Sequence, residues 1–381
     1  MRVGLGASVL ARGLQHGQLD GIAYYTQELA QELNRMGCAL LPVVFGQAKL
    51  ESLEGFDAQH WGRFSTNALM SAATGCSHLG RTGRASDMDV FHATDHLIPK
   101  LRSTPVVATL MDAIPLAHPE WVHSRLRPLQ NALWKKTATW AQQIITISEY
   151  SKSQITEHFN IPPNKISVVS LGVDGRYFEI LPAWYCEKVL ETFGVPRHYF
   201  IFIGTLQPRK NIQRIIQAHQ SLSIDLRRAF PLVIVGRNGW GSDALIDHLH
   251  QAAGREPIHW LGAVSDLQKR ALLQSSVALV FPSLSEGFGL PVLEAFAGQT
   301  PVIASNTTSL PEVAADAALL VDPLEVDEIA DAMREVIHNQ SLTSQLKVAG
   351  LARAKQFTWQ ASAKATFAVY ESLVAAKHSK Y

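Results

Sequence analysis

The sequence is poor in cysteine, carries almost no net charge and lacks any long hydrophobic run. Its three cysteines, Cys38, Cys76 and Cys186, are far apart and fit neither a zinc site nor a disulfide scaffold. The 34 basic and 33 acidic residues give a formal charge of +1, which argues against a nucleic-acid-binding protein. We find no stretch of about 18 apolar residues and no secretory signal, so we expect a cytoplasmic protein without a membrane span.

The composition is that of a globular protein, with 47% hydrophobic and 18% charged residues. A single core stops growing at roughly 250–300 residues, so the chain length predicts two domains. Short apolar strand-like segments alternate with helical patterns in two series, which meet near residues 185–198. Strands bridged by helices imply parallel sheets covered on both faces. We predict an α/β protein with two doubly wound, Rossmann-like domains, residues 1–190 and 191–360. A C-terminal helix follows over 361–381, and its return to the N-terminal domain is one of two options.

Residues 204–212, GTLQPRKNI, are a first candidate for anion binding. An apolar strand leads into a turn at Gly204, then to the cations Arg209 and Lys210 and a predicted helix start. The end of a strand and the start of a helix both expose backbone N–H groups that suit an anion. Two cations beside them would hold a diphosphate. Taken alone, this segment fits a solvated surface pair equally well.

A second candidate is SEGFGLPVLEAFAGQTPVIAS, residues 285–305. Its two glycines let the backbone approach a ligand closely, and its first proline suits the first turn of a helix. Glu286 precedes the turn, and Glu294 lies about one helical turn inside. A carboxylate accepts hydrogen bonds from two vicinal hydroxyls, so one glutamate would bind a sugar and the other a ribose, with helix amides on phosphate between them. Helix electrostatics alone would explain Glu294 but not the glycines beside Glu286.

Two further helix starts carry weaker signals. Asp20 or Gly21 begins a helix whose N–H groups would face an anion, although a glycine there is also an ordinary cap. The segment SLPEV is predicted to be a capping box in which Ser309 and Glu312 satisfy backbone amides.

Histidines and a loop give additional expectations. His92 and His96 are spaced four residues apart, but no third ligand is near in the sequence, so we predict no metal site. Residues 65–88 are small, polar and rich in glycine, and we predict a long loop of the kind that often forms a lid.

The segment 121–141 is a predicted helix with two interpretations. Its cations and tryptophans are Arg125, Arg127, Lys135 and Lys136 with Trp121, Trp134 and Trp140. An amphipathic crossover helix with a solvated basic face is the favoured interpretation. The alternative is docking on an anionic membrane surface, with the aromatic rings at the interface.

Taken together, these segments resemble a known family. EGFGLPVLEAFAGQTPVIAS, GTLQPRKNI, LVIVGRNGW, TISEYSKSQI and VVSLGVD are similar, in the same order, to the motifs of retaining, nucleotide-sugar-dependent glycosyltransferases of family 4, which have the GT-B architecture. The likeness covers nearly the whole chain, and the combination is specific although each piece alone is not. It implies transfer of a hexose, most simply mannose from GDP-mannose, to a glycan acceptor that is lipid-linked. The style of the sequence looks like bacterial surface-polysaccharide enzymes, which implies a place on the inner face of the cytoplasmic membrane.

The resemblance implies a role for each charged residue of the two motifs. Glu286 would hold hydroxyls of the donor sugar, and Glu294 would hold the ribose of the nucleotide. Arg209 and Lys210 would stabilise the departing diphosphate. No metal cofactor is implied, because cations and helix dipoles replace it.

The resemblance also implies backbone contacts with the donor. Gly204 and the amides around Phe288, Gly289 and Leu290 would reach the donor sugar and its phosphates. Gly21 would be the close-approach glycine of the N-terminal domain.

One departure from the family pattern concerns the residues after the strand VVATL. The family usually has a His-Asp pair there, whereas this chain has Met111 and Asp112. Asp112 is expected to orient the acceptor, but Met111 cannot donate a hydrogen bond to a sugar hydroxyl. The departure keeps open a catalytically silent sugar-nucleotide-binding subunit. A sugar-nucleotide epimerase on the same architecture is a further alternative, and a membrane adaptor rests on residues 121–141 alone.

Overall fold

The computed structural model describes residues 1–78, 87–121, 127–252, 254 and 256–378. The chain forms two compact units. The first comprises residues 1–117, 124–172 and 359–381, and the second comprises 118–123 and 173–358. Each contains a parallel sheet with helices, which confirms the predicted α/β class.

The first unit is built on a seven-stranded sheet within its described residues, in the order β5-β2-β1-β6-β7-β8-β9. Its strands are β1 (Arg2–Gly6), β2 (Ala39–Val44), β5 (Gln59–His60), β6 (Val90–Ala93), β7 (Val106–Thr109), β8 (Gln143–Thr146) and β9 (Ile166–Val168), beside a short hairpin of β3 (Ser52–Leu53) and β4 (Phe56–Asp57). Its helices before the second unit are α1 (Ser8–Gln15), α2 (Gly21–Arg35), α3 (Phe64–Thr74), α4 (Ile114–Ala117), α5 (Arg127–Ala138) and α6 (Glu149–Phe159). Neighbouring strands of the seven-stranded sheet all pair in parallel. The inner strands β6 and β7 are buried and, apart from His92 and Thr109, apolar, because helices cover both faces of such a sheet.

Part of the predicted loop over 65–88 is helical. Helix α3 begins at Phe64 and ends at Gly75, which adopts a left-handed conformation with φ of 70°. The first ten residues of the segment contain no glycine, and Ala68 and Ser71 are buried on a helix that packs against α5. The long-loop prediction is therefore wrong for this part, since helix packing outweighed a polar composition. Residues 79–86 lie outside the described residues.

Only the middle of the predicted helix over 121–141 is helical among the described residues, as α5. Trp134 packs edge-on against Phe159, with ring centroids 4.7 Å apart, and Trp140 is buried. Trp121 stacks on His118 with centroids 3.9 Å apart. The rings of Trp134 and Trp140 are thus occupied in packing inside the first unit, so they are not available to a membrane interface. Residues 122–126, including the predicted cation Arg125, lie outside the described residues.

A buried polar network attaches the C-terminal helix to the first unit. His92 is fully buried on β6, with Nδ1 2.6 Å from the Tyr370 hydroxyl and Nε2 2.7 Å from the Thr109 hydroxyl. Thr109 lies 2.9 Å from the hydroxyl of Tyr25. Tyr370 belongs to α16 (Trp359–His378), which packs on α2. Burial lowers the pKa of His92 to about 3, so the ring is neutral and both nitrogens are engaged in hydrogen bonds rather than offered to a metal.

The second unit contains a six-stranded parallel sheet within its described residues, in the order β12-β11-β10-β13-β14-β15. Its strands are β10 (Phe200–Ile203), β11 (Leu232–Val235), β12 (Ile258–Trp260), β13 (Ala278–Phe281), β14 (Val302–Ser305) and β15 (Leu319–Val321). Its helices are α7 (Ala183–Phe193), α8 (Ile212–Gln220), α9 (Ile224–Ala229), α10 (Asp243–Ala252), α11 (Asp266–Ser275), α12 (Leu290–Ala297), α13 (Leu310–Ala314), α14 (Val326–His338) and α15 (Gln340–Ala354).

The boundary between the units differs from the expected position at residue 190. It falls after Gly172, because helix α7 packs on α11 of the second unit. The backbone N–H of Leu181 also donates to the Gln274 side chain at 3.0 Å. A helix between two series of strands belongs to the unit that buries its apolar side. The sequence of α7 does not show that its packing partner is α11, so the boundary could not be predicted from it.

We expect Tyr370→Phe to lower the unfolding midpoint of the first unit. The change keeps the ring but removes a hydroxyl that pairs with a buried imidazole nitrogen, and an unpaired buried polar group costs about 1–3 kcal/mol. Chemical unfolding followed by circular dichroism measures the shift. Tyr185→Phe, at a partly exposed tyrosine of the second unit, is the matched control. An unchanged midpoint for Tyr370→Phe would show that the hydrogen bond contributes nothing to stability.

Candidate active site

The two charged motifs follow neighbouring strands of the second sheet. Strand β10 pairs with β13, with Phe200 opposite Ala278 and Ile201 opposite Leu279. Strand β11 continues on the far side of β10, and β14 continues on the far side of β13. The chain therefore leaves β10 and β13 in opposite directions, which opens a crevice at their carboxyl ends. Ligands of doubly wound proteins bind at such a position.

Three charged side chains meet at this crevice. Arg209 Nη1 lies 3.0 Å from Glu286 Oε2, and Lys210 Nζ lies 2.5 Å from Glu286 Oε1. The Lys210 and Glu286 side chains are each only 9% exposed. The backbone N–H of Leu284 donates to the carbonyl of Arg209 at 2.8 Å, so a backbone hydrogen bond also joins the loop after β10 to the loop after β13. We call these three residues the ion cluster.

The ion cluster keeps its carboxylate charged. Burial on its own raises the pKa of Glu286, but the charges of Lys210 and Arg209 outweigh it and lower the pKa to about 2. Lys210 Nζ also lies 4.7 Å from the centroid of the Phe281 ring, a favourable position for a cation. Two cations and one carboxylate leave an excess positive charge, which suits an anionic ligand. The sequence pattern assigns the carboxylate and the cations to different parts of a ligand and does not predict direct contact between them.

The glycine turn places the amino end of α12 beside the ion cluster. Gly289 precedes the helix with a φ of 114°, and a Cβ there would come within 2.5 Å of Leu310 Cδ2. The backbone angle therefore requires glycine, and any side chain there would also displace the end of the Leu310 side chain. Leu290 and Pro291 form the first turn, as the sequence predicted, and Phe288 is buried edge-on against Phe357 with centroids 5.8 Å apart.

Ser309 supports the glycine turn instead of capping its own helix. Its hydroxyl lies 2.9 Å from the carbonyl oxygens of both Glu286 and Phe288 and makes no cap hydrogen bond. The predicted capping box with Glu312 is therefore wrong. A hydroxyl has one proton to donate, and here the carbonyls of a loop 21 to 23 residues away receive it.

Two glycines of the motif LVIVGRNGW, Gly236 and Gly239, shape the other side of the crevice. A Cβ on Gly236 would lie 1.8 Å from the carbonyl oxygen of Gly204, and one on Gly239 would lie 2.3 Å from that of Leu206. The loop after β11 therefore approaches the backbone of the loop after β10 too closely for any side chain. The motif LVIVGRNGW was the only signal for these residues. A Cβ on Gly204 would lie 3.7 Å from Lys210 Cε, so Gly204 lies directly beside the ion cluster.

Glu294 lies on α12 and has a different ionic partner from Glu286. Its Oε1 is 2.9 Å from Lys269 Nζ, which comes from α11. Lys269 is also 3.5 Å from Asp266 Oδ1. Nothing in the sequence singles out Lys269, because a lysine on a predicted helix carries no signal that distinguishes it from a solvated one.

The remaining predicted residues belong to the first unit. Gly21 begins α2 after the cap Asp20, whose carboxylate accepts the N–H of Ala23 at 2.8 Å. No described atom lies within 4 Å of a Cβ built on Gly21, so open space surrounds this position. Asp112 follows β7, and its Oδ1 accepts the backbone N–H of Ile114 at 3.0 Å. Gly21 and Asp112 thus lie in the first unit, whereas the ion cluster lies in the second.

His92 and His96 are not placed as a metal pair. His92 is buried in the network with Tyr370, whereas His96 is exposed and lies against the Trp134 ring with centroids 4.4 Å apart. Across the part of the chain that the structure describes, no group of three or more histidine, cysteine, aspartate or glutamate side chains could hold a metal ion. Among the same residues, no helix is sufficiently long and apolar to span a bilayer.

Comparison with protein families identifies both halves of the chain. The family described as Glycosyltransferase Family 4 matches residues 19–176, and the family described as Glycosyl transferases group 1 matches residues 191–353. The chain is 34% identical over 286 residues to O-antigen chain mannosyltransferase B of Escherichia coli, and the match covers 74% of each chain. It is 30% identical over 316 residues to MMP alpha-(1->4)-mannosyltransferase of Mycolicibacterium hassiacum, covering 77% of this chain and 72% of the relative.

Solved structures share the fold at low sequence identity. Sucrose-phosphate synthase of Thermosynechococcus elongatus matches with a TM-score of 0.76 at 17% identity, covering 99% of this chain and all (100%) of that one. HepE of Anabaena, solved with UDP and glucose, matches with a TM-score of 0.73 at 18% identity, covering 98% of each chain. The family matches, the mannosyltransferase relatives and the two parallel-sheet units agree with one another. The chain therefore belongs to glycosyltransferase family 4 and is a nucleotide-sugar-dependent glycosyltransferase with the GT-B fold.

Proposed function

We propose that this enzyme is a retaining mannosyltransferase that transfers mannose from GDP-mannose to a growing, lipid-linked glycan of a bacterial surface polysaccharide. The two relatives named as mannosyltransferases support the sugar, and the O-antigen relative supports the type of acceptor. The ion cluster at the carboxyl ends of β10 and β13 is the observation that carries the proposal. Its excess positive charge matches a nucleoside diphosphate.

Arg209 and Lys210 stabilise the diphosphate as the glycosidic bond of the donor breaks. Negative charge grows on the leaving phosphate in the transition state, so fixed cations lower the barrier more than they stabilise the bound donor. The effect is strong because Lys210 is 9% exposed and little water screens its charge. Both cations are already held by Glu286, so little reorganisation is needed when the charge develops.

Glu286 holds the donor sugar. Its carboxylate remains ionised at neutral pH because its pKa is lowered to about 2, and it can accept hydrogen bonds from sugar hydroxyls. Contacts with two cations restrict its rotation, so hydroxyls of one geometry are favoured. The first-turn amides at Leu290 and the amides of Phe288 and Gly289 then bind sugar and phosphate oxygens at the positive end of the α12 dipole.

Glu294 binds the ribose of the nucleotide. Asp112 orients the acceptor hydroxyl, and the open space at Gly21 lets a ligand approach the start of α2. Met111 has no polar group for the sugar, so a backbone group of its loop replaces the usual histidine contact. Metal ions are not required, because the ion cluster and the helix dipole supply the positive charge.

We also propose peripheral binding to an anionic membrane through α5. Trp134 and Trp140, two of the three tryptophans of this segment, are packed inside the first unit, but Lys135, Lys136 and Leu129 remain exposed on α5. The neighbouring helix α3 contains no charged residue and exposes Leu69 and Met70. Exposed apolar side chains beside lysines, without acidic residues on either helix, suit a negatively charged lipid surface.

The purified enzyme is expected to release GDP from GDP-mannose in the presence of a mannosylated acceptor, with unchanged turnover in EDTA. The first product detected by NMR should keep the anomeric configuration of the donor. Loss of activity in EDTA that Mg²⁺ restores would contradict the metal-free mechanism. An inverted product would contradict retention, and transfer only from a UDP or dTDP sugar would contradict the assigned donor.

Lys210→Ala should lower kcat by on the order of 10²–10³, the typical effect of removing one group that stabilises a developing charge. Steady-state kinetics with the donor varied measure kcat and KM separately. Lys347→Ala, at an exposed lysine on α15, is the control, and circular dichroism checks that both variants fold. Full turnover by folded Lys210→Ala would remove Lys210 from the leaving-group role.

Vesicle sedimentation tests the membrane proposal. The enzyme is expected to bind vesicles that contain phosphatidylglycerol and to bind neutral phosphatidylcholine vesicles weakly, because each lysine near an anionic surface contributes about 1 kcal/mol. Lys135→Glu/Lys136→Glu should abolish most of the binding, whereas Lys347→Glu should leave it intact. Equal binding to both kinds of vesicle would overturn the electrostatic explanation.

A further inference from the structure

The carboxylate of Glu294 is held by side chains that the enzyme's family motifs do not include. Lys269 Nζ lies 2.9 Å from Glu294 Oε1, and the two side chains are 22% and 15% exposed. The lysine comes from α11 and the glutamate from α12, so the contact links the helix that precedes β13 in the chain to the helix that follows it. This pair is separate from the ion cluster, whose cations contact Glu286.

Lys269 is itself fixed from a second direction. Its Nζ lies 5.0 Å from the centroid of the Tyr177 ring and 3.5 Å from Asp266 Oδ1. The hydroxyl of Tyr177 donates to the same Asp266 oxygen at 2.8 Å. A lysine held by a ring and two carboxylates cannot move freely as a solvated lysine does, so its position determines where the Glu294 carboxylate lies.

The pKa shifts of Lys269 and Tyr177 agree with their contacts. Burial on its own lowers the pKa of Lys269, but the negative charges of Glu294 and Asp266 outweigh it and raise the pKa. Burial raises the pKa of Tyr177 far above its ordinary value, and Glu294 and Asp266 raise it further, so the phenol stays neutral. The ammonium and the phenol therefore remain donors toward the two carboxylates over the whole neutral pH range.

A fixed carboxylate has a chemical consequence for a nucleotide. Vicinal hydroxyls of a ribose can donate to one carboxylate together, whereas a deoxyribose offers one hydroxyl fewer. A glutamate that is free to rotate would turn toward the remaining hydroxyl or toward water. A glutamate held at Oε1 cannot do so, and its charge-assisted hydrogen bond is then lost without replacement.

We propose that Lys269 is a positioning residue that holds Glu294 toward the ribose diol and so makes the enzyme select ribonucleoside over deoxyribonucleoside diphosphate sugars. The inference rests on the proposed function, in which Glu294 contacts the ribose. Lys269, held in place by Tyr177 and Asp266, would then contribute to the preference for ribonucleoside diphosphate sugars as donors. An ion pair that served only to join α11 and α12 would contribute to stability but would leave the discrimination between the two sugars unchanged.

Calorimetric titration of the full-length enzyme with GDP and with 2′-deoxy-GDP tests the proposal. The wild-type enzyme should bind GDP about 10- to 100-fold more tightly, the range expected for one hydrogen bond to a charged group. In Lys269→Met this ratio should fall toward one, and Lys269→Arg should restore most of it. Arg227→Met removes a partly buried ion pair with Glu256 elsewhere in the second unit and should keep the wild-type ratio.

Lys269→Gln is the second variant in case Lys269→Met does not fold, because its amide can still donate to the carboxylate. We expect it to give an intermediate ratio. A wild-type ratio in folded Lys269→Met, or in folded Lys269→Gln if the methionine variant does not fold, would overturn the positioning role. So would equal binding of both nucleotides by the wild-type enzyme.

Glu294→Gln separates this inference from the proposed function. If its ratio falls toward one while Lys269→Met keeps the wild-type ratio, Glu294 contacts the ribose and only the role of Lys269 is wrong. If Glu294→Gln keeps the wild-type ratio, the ribose contact itself is wrong and the inference fails with it. If the folded wild-type enzyme binds neither GDP nor UDP, the proposed nucleotide site is overturned as a whole.

Discussion

The pairing of Glu286 with Arg209 and Lys210 is the interaction on which the site of the second unit depends. Each charge alone would be costly to bury, and breaking such a pair typically costs several kcal/mol because an uncompensated charge remains. Together the three side chains connect the loops after β10 and β13, whose carboxyl ends are adjacent because the strands pair in parallel. The cluster carries one positive charge more than negative charge, which suits the diphosphate proposed as its ligand. The same contacts hold the two loops in place.

The two glutamates of the motif from residue 285 to 305 differ in their partners, and this difference suits two tasks. Glu286 contacts two cations beside a glycine turn, where we propose that the leaving group and the sugar bind. Glu294 contacts one lysine, farther along the helix. Ser309 adds a third constraint, since its hydroxyl holds the carbonyls that flank the turn. A loop that is fixed from several sides keeps its amides aimed at one place, which a flexible glycine loop could not do.

Buried neutral groups attach the last helix of the chain to the first unit, whereas charged groups form the candidate site of the second. His92, Thr109, Tyr25 and Tyr370 form hydrogen bonds inside a unit whose inner strands are apolar. These bonds connect β6, β7 and α2 with the last helix, so residues at the C-terminal end of the sequence complete the first unit although the second unit lies between them in the chain. The proposed acceptor residue Asp112 lies in the loop after β7 of this sheet. Binding residues often lie on loops that a scaffold of strands and helices holds in position.

The sequence by itself determined the α/β class, the presence of two parallel-sheet units and the segments that carry charge at strand ends, because all of these follow from local periodicity and from Gly and Pro at turns. It did not determine which charges meet. Glu286 contacts cations 76 and 77 residues away, and Lys269 lies 25 residues from Glu294. The same limit explains the wrong predictions for α3 and for Ser309. Only the order and register of the strands bring such partners together, and burial then decides whether a polar residue serves as a cap, a surface group or part of the site.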